Sequence, residues 1–511
     1  MNAGLLSALA SGGASVQNRE QRAQIIAALK AFSDLPAPLS VQQVRELFSL
    51  ENALYPVIQA DKAWFFASPG RVEAVQFSRD LHVLHSVTAK ALRQLIERRG
   101  EWSTGDADPL LHHVMAFALF HHGASIKWCF YRHEPVKPTL WPDLHALYRF
   151  AERAGMATVA LSLFEQERDQ QTTILALYLR ALLLEVLNTG SLTMPQIEIA
   201  DGWLAEWCPE YALDETYAPR SHAMVVDLDA MAGLQLVTGS APRAGFRYLR
   251  LDGLKAQIDA VKAQLRSGQP YHGRSTARHF AVEEHVALLG AAERLYTTIL
   301  QASASRIEER TPVSGRTADL VIGFKLSRQA LTPPAAPSIA FSFDESAAPP
   351  LAEDASRWRL HDLSSKGIGL TVDRSTGEKT AVGEFIAIRV DGFQHWMAGV
   401  AVRKVTQRAL GETLVGIELL SYRPLPVVLH RYNHPRDAEP DPNTAPVDAI
   451  YLPGRDPEGK ADILALPAGD FGLKNVFKLS TRDTNFRVRI NRVLRKGRDW
   501  IGLRFEVIGK K

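Results

Sequence analysis

Trp358-Arg-Leu-His-Asp362-Leu-Ser364-Ser-Lys-Gly367-Ile-Gly-Leu370 is the stretch that decides how the second half of this 511-residue chain is read. A run with alternating apolar residues ends in Asp-x-Ser-x-x-Gly, and a second apolar run begins at once. That is the pattern of two strands joined by a tight turn. Asp362 and Ser364, two residues apart, can turn their short side-chain oxygens toward one edge of such a turn. Gly367 permits positive φ and close approach of a ligand to the backbone. An edge of this kind offers acceptors to a guanine, whose N1–H and N2–H₂ donors lie along one side. Taken alone, the same pattern also describes an ordinary turn.

Working outward, Thr317–Leu326, Trp358–Leu363, Gly367–Val372, Gly383–Val390, Trp396–Val405 and Leu414–Leu419 are short runs rich in Val, Ile and Leu. Gly, Asp and Ser punctuate them, which predicts an antiparallel barrel or sandwich. The stretch 331–354 is rich in Pro and Ala, is acidic, and reads as a flexible insertion. Asn433–Pro446 holds four prolines and reads as a linker ahead of a last β-rich segment, 447–511. The first 300 or so residues read mostly as helix, with candidates at 19–34, 41–52, 74–99, 108–123, 142–155, 174–187, 196–207, 252–266 and 277–301. The run near Ile174–Leu187 is apolar on more than one face, which predicts a helix buried between neighbours. Ser275-Thr276 offers an N-cap for the last candidate. His222–Leu228 and Phe246–Leu251 read as strands, so a small β insertion is expected near 221–251.

Three further segments follow the Asp362 turn in order: Val382-Gly-Glu-Phe-Ile-Ala-Ile-Arg-Val390, Ala398-Gly-Val-Ala-Val-Arg403-Lys-Val405 and Leu414-Val-Gly416-Ile-Glu-Leu-Leu420. Together with the turn they resemble the PilZ domain, over roughly residues 305–422. The resemblance implies an antiparallel β-barrel that binds cyclic-di-GMP. It also implies an Arg-x-x-x-Arg motif ahead of the first barrel strand, and Arg306-Ile-Glu-Glu-Arg310 stands there, with Arg316 just beyond. The ligand residues it implies are therefore Arg306, Arg310, Arg316, Asp362, Ser364 and Gly367. Arginine suits the task because its planar guanidinium forks onto phosphate and stacks on a base. The spacing from Arg310 to Asp362 is longer than in minimal PilZ domains, and the Pro/Ala-rich insertion must absorb it. Glu308 and Glu309 can pair with the arginines, and Arg306 also suits the last turn of the preceding helix, where a cation meets free carbonyls. The first half, through Leu144-His-Ala-Leu-Tyr-Arg-Phe-Ala-Glu152 and Tyr178-Leu-Arg-Ala-Leu-Leu-Leu184, resembles long bacterial PilZ-containing proteins with a helical N-terminal half.

The expected fold class is thus a multidomain α+β chain. A helical domain occupies 1–303, a PilZ-like β-barrel 304–428, and a small C-terminal β domain 447–511. The expected function is a cyclic-di-GMP receptor that changes its inter-domain arrangement or partner binding. The alternative is a degenerate PilZ-like scaffold that binds protein partners without nucleotide.

Other classes find little support. A formal net charge of +3 on this length excludes a protein that coats nucleic acid. Cys129 and Cys208 cannot form a disulfide framework or a four-cysteine metal site. No basic residue precedes Arg19, as a secretory leader would require, and the longest apolar run is short and carries Arg180. The expectation is a cytoplasmic protein without membrane insertion.

His112, His113, His121 and His122 flank an apolar helix but point to different faces. His279, Glu283 and His285 match no zinc motif, so no metal is expected. No phosphate loop, dinucleotide fingerprint or nucleophile elbow occurs, so neither catalysis nor a cofactor is expected. Arg482, Arg487, Arg489, Arg492, Arg495, Lys496, Arg498 and Arg504 suit either an anionic partner or a solvated strand face. Without interleaved aromatics, nucleic acid is not the expected partner. A protein partner through the helical domain is.

Overall fold

In the computed structural model the chain divides into two units, Met1–Ser305 and Arg306–Lys511. The residues described are 19–33, 38–67, 72–106, 108–187, 189–218, 221–237, 243–274, 280–300, 311–312, 315–332, 355–364, 367–393, 395–407, 410–434, 437, 439–453, 462–469, 475–480 and 484–510.

The first unit contains helices α1 (Arg19–Ser33), α2 (Val41–Ala67), α3 (Val72–Glu97), α4 (Pro109–Tyr131), α5 (Leu140–Arg153), α6 (Ile174–Val186), α7 (Met194–Trp207), α8 (Leu254–Arg266) and α9 (Val282–Leu300). Strands β1 (Leu161–Ser162) and β2 (Gln171–Thr172) form a small ribbon. Strands β3 (Ala212–Asp214), β4 (His222–Asp227), β5 (Gln235–Leu236) and β6 (Phe246–Arg250) form an antiparallel sheet of order β3-β6-β4-β5.

Two helices run further than their sequence pattern predicts. α2 continues past 52 to Ala67 with Pro56 inside it, because Leu54, Ile58 and Phe65 carry the buried stripe onward. That burial outweighs the cost of about 3 kcal/mol for an interior proline. α4 continues past 123 because Ile126, Trp128 and Phe130 are also buried. The cap expected at Ser275-Thr276 lies outside the described residues, and α9 begins at Val282.

α6 is buried on nearly every side, from Ile174 to Leu184, and Thr173 caps it by accepting from the Ala176 N–H at 3.0 Å. Its mid-helix charge, Arg180, joins an ion network that ties four helices together. Arg180 donates to Asp201 of α7 through Nε at 2.5 Å and Nη2 at 2.6 Å. Lys127 of α4 contacts both Asp201 and Glu198, the latter at 3.1 Å. Lys62 of α2 reaches Glu198 at 2.8 Å, and the Tyr131 hydroxyl donates to the same carboxylate. Burial alone would raise the Glu198 and Asp201 pKa values; Lys127 with Lys62 on the first, and Arg180 with Lys127 on the second, hold both low instead.

The second unit opens with β7 (Thr311–Pro312), β8 (Thr317–Ile322), α10 (Phe324–Leu331), β9 (Ser356–Leu363), β10 (Gly367–Asp373), α11 (Arg374–Glu378), β11 (Phe385–Val390), β12 (Met397–Gln407) and β13 (Glu412–Ser421). Their order is β10-β13-β12-β11-β8-β9-β7, and β9 also pairs with β10. Six strands therefore close into a ring, with β7 added beside β9. Trp358, Leu360, Ile368, Leu370, Ile388 and Ile417 fill it. The run Thr317–Leu326 is not one strand: Gly323, at φ +96°, turns the chain after Ile322 and α10 begins. α10 ends at Leu331, and 333–354 of the expected insertion lie outside the described residues.

A second closed ring follows: β14 (Leu425–Arg431), β15 (Val447–Leu452), β16 (Ile463–Pro467), β17 (Val476–Ser480), β18 (Asn485–Lys496) and β19 (Trp500–Lys510), in the order β14-β15-β16-β19-β18-β17. The C-terminal β segment thus takes in Leu425–Arg431, ahead of the 447 boundary expected from sequence. The reason is packing: Val427 and Leu429 point into this ring, and β14 pairs with both β15 and β17.

The two rings share a small core in which Phe324, Phe385 and Val400 meet Ile450, Leu452 and Trp500. The fully buried Trp500 donates its indole N–H to Gly383 O at 3.1 Å. The Asp499 carboxylate accepts from the Phe385 N–H at 3.1 Å and from the Phe324 N–H.

Three outcomes follow from these contacts. Trp500→Ala removes the largest side chain at the junction and should destabilise the second unit by about 3–5 kcal/mol in denaturant unfolding of the full chain. Glu198→Gln leaves Lys62 underpaired and should destabilise the helical unit by about 3–5 kcal/mol at neutral pH. Because folding lowers the Glu198 and Asp201 pKa values, their contribution is complete above the unfolded carboxylate range. It is lost as pH falls below about 4. Unfolding free energy followed against pH should therefore fall in acid, and less steeply in Glu198→Gln.

Candidate functional site

The turn between β9 and β10 is closed by its own residues. The Ser364 N–H donates to Gly367 O at 2.9 Å, and the Gly367 N–H donates back to Ser364 Oγ at 3.1 Å. The Ser364 hydroxyl, which also donates to Gly367 O at 3.3 Å, is thus part of the turn itself. Along β9, Trp358 and Leu360 face the core while Arg357, Arg359 and His361 are exposed. Beyond the register shift Leu363, opposite the buried Ile368, packs against the core, while Asp362 lies on the outer face, partly exposed, with the His361 ring 3.2 Å from its carboxylate.

Asp362 lies opposite Gly369 on β10, next to a register shift between Gly369 and Leu370. Its carboxylate rests on that glycine: a Cβ added at Gly369 would stand 2.7 Å from Asp362 Oδ1. Gly369 therefore belongs to the site, although the sequence reading singled out only Gly367. A readable signal existed, since an isolated glycine inside a strand pattern marks a bulge or a close approach.

On its other edge β9 pairs with β7, Thr311 opposite Leu363 and Pro312 opposite Asp362. This pairing was not legible in the sequence, because two residues carry no strand period. Arg316 is exposed, and its carbonyl accepts from the Leu360 N–H at 2.9 Å. It therefore sits one strand from Asp362. Arg306 and Arg310 lie outside the described residues; Arg310 directly precedes Thr311 in sequence. Asp362, Ser364, Gly367 and Gly369 are brought together at the β9–β10 turn, with Arg316 near by.

The exposed face of β9 is basic but largely paired: Arg357 with Asp391 at 3.0 Å, and Arg359 with Glu412. Several C-terminal arginines are likewise engaged. Arg489 meets Glu506, Arg495 meets Glu418, and Arg498 meets Glu384. Arg487 lies over the Tyr432 ring, 4.2 Å from its centroid. Some of the histidines considered as metal ligands meet other side chains. His121 contacts Glu51 at 2.9 Å and His85 at 2.9 Å, and His285 packs against Trp203 and His272. His279 lies outside the described residues. Among the described residues no helix is long and apolar enough to cross a membrane.

Comparison with known proteins adds a second line. Residues 14–218 match the family model described as "Cyclic-di-GMP receptor FimW, N-terminal domain". That description names a receptor of cyclic-di-GMP. No curated protein and no solved structure matches the chain. The match falls within the helical unit, whereas the Asp-x-Ser-x-x-Gly turn lies in the second unit. The match and the turn thus rest on separate stretches of sequence.

The turn geometry gives a direct test. Ser364→Ala removes the side-chain acceptor of the Gly367 N–H while leaving the backbone bond. It should lower the stability of the second unit by about 1 kcal/mol, read as a shift in its urea midpoint.

Proposed function

We propose that the chain is a cytoplasmic PilZ-type receptor for cyclic-di-GMP, which binds where Arg306, Arg310 and Arg316 meet Asp362, Ser364 and Gly367. The observation that carries this reading is the pairing of β7 with β9. β7 starts at the residue after Arg310 and lies beside Leu363 and Asp362. The second arginine of the motif directly precedes Thr311 of β7 in sequence. The family match in the helical unit supports the same ligand independently.

In this reading the guanidinium groups of Arg306 and Arg310 take the phosphates and a guanine face, with Arg316 adding positive charge. The Asp362 carboxylate accepts from the guanine N1–H and N2–H₂. The Ser364 hydroxyl adds a further polar contact, and Gly367 lets the base approach the strand. Gly369 holds the carboxylate in place by leaving room for it.

Binding engages the arginine segment that joins the helical unit to β7. It thereby changes the arrangement of the two units and the access of a protein partner to the helical one. A ligand does this only if it favours one arrangement over the other. Protection of bonds around 300–316 from limited proteolysis on ligand addition is the expected sign.

Calorimetric titration of cyclic-di-GMP into the full chain should give micromolar or tighter binding, and GTP should not compete. Each charge-assisted hydrogen bond is worth roughly 1.5–3 kcal/mol, so Arg310→Ala and Asp362→Ala should each weaken binding about 10- to 100-fold. Absence of heat and of saturation with correctly folded protein would overturn the receptor reading and leave a scaffold.

A further inference from the structure

The helical unit carries a groove of about 470 Å³ that the ligand reading does not use. Trp141 of α5, Val186 of α6, Met224 of β4 and Leu234 and Leu236 at the sheet edge line it, and Met231 stands at its rim. Glu185 of α6 is the one ionisable side chain in this lining. No described residue hydrogen-bonds or ion-pairs with it. Burial alone, with no neighbouring charge to oppose it, raises its pKa to about 7.

The surroundings are built around that carboxylate. Gly233 passes directly over it: a Cβ there would stand 2.3 Å from Glu185 Oε2 and 3.3 Å from the Trp141 ring. The loop is held by the His145 ring, whose Nε2 lies 3.0 Å from Ala232 O. An unpaired carboxylate in apolar surroundings is costly, and the cost is relieved when a cation arrives beside it.

The rim supplies a second feature. Among the described residues β5 is the edge strand of the sheet and pairs with β4. The Val237 N–H donates to Ala223 O at 3.0 Å, and Leu236 lies opposite Met224. In an antiparallel ladder hydrogen-bonded and non-hydrogen-bonded pairs alternate. The Leu236 N–H and C=O therefore point away from β4, toward the open edge. An open edge is a template for one more strand.

We infer that this groove docks an extended segment of a protein partner, which pairs along Leu236 and sets a Lys or Arg side chain on Glu185. The apolar stem of such a residue fits against Trp141 and Met224 while its charged end meets the carboxylate. An acidic segment would be repelled, and a neutral one would leave Glu185 unpaired. A free amine would gain nothing from the strand edge. This surface is independent of the proposed cyclic-di-GMP site, so either can fail without the other.

The test uses the full chain and three fluorescently labelled peptides of alternating residues, Val-Lys, Val-Gln and Val-Glu, titrated by anisotropy without nucleotide. The Val-Lys peptide should bind at least about tenfold more tightly than the others, a modest return for one desolvated charge pair. Glu185→Gln should abolish that preference. Leu236→Pro, which removes the outward N–H and spares the β4 bonds, should weaken the Val-Lys peptide as well. Circular dichroism establishes that both variants are folded. Equal binding of the three peptides, no binding of any, or an unchanged Lys preference in folded Glu185→Gln would overturn the inference.

Discussion

β9 hydrogen-bonds to three strands, and the second unit depends on that shared pairing. On one edge it holds both β8 and β7; on the other it meets β10 and so closes the ring. A closed ring has no exposed edge, and its interior can be filled by side chains from every strand. The condition for closure is that the chain reverse sharply between β9 and β10, which Ser364 and Gly367 accomplish by bonding to each other. The residues that close the ring are thus the residues proposed to meet the ligand. A change in the turn is felt by both.

Buried charge is handled in two ways in the helical unit. In the network of Lys62, Lys127, Arg180, Glu198 and Asp201, every charge has an opposite partner. That pairing lets three cations and two carboxylates sit among apolar helices, and it makes the set sensitive to loss of any member. Glu185, on the same helix as Arg180, has no such partner among the described residues, and its carboxyl is pushed toward its neutral form. One arrangement holds helices together. The other leaves an unmet electrostatic demand at the surface of the fold, beside an unpaired strand edge.

The receptor reading draws on two stretches that share no residue. The order of segments in the second unit resembles a PilZ barrel, and the helical unit matches a cyclic-di-GMP receptor's N-terminal domain. Neither argument uses the other's residues, so their agreement on one ligand is informative. The C-terminal ring supplies none of the residues of the proposed site. Its Trp500 and Asp499 instead buttress β11 and α10 of the first ring, which fixes the two rings as one unit.

The amino-acid sequence by itself determined most local features, because these depend on neighbours within a few residues. The helical period of the first half, the apolar character of Ile174–Leu187 and the tight turn at Asp362–Gly367 are all of this kind. So is the order of the Asp-x-Ser-x-x-Gly turn and its following segments, on which the resemblance to a PilZ barrel rests. Tertiary structure decided what depends on distant residues. Pro56 is tolerated in α2 because Leu54 and Ile58 are buried by other helices. Leu425–Arg431 joins the C-terminal ring because its partners lie at 447–451 and 477–480. Gly369 belongs to the site because Asp362 comes to rest on it from the neighbouring strand. Glu185 looks like any helical glutamate in sequence; only the fold packs Trp141 and the Gly233 loop against it and leaves it partly buried, with no charged partner among the described residues.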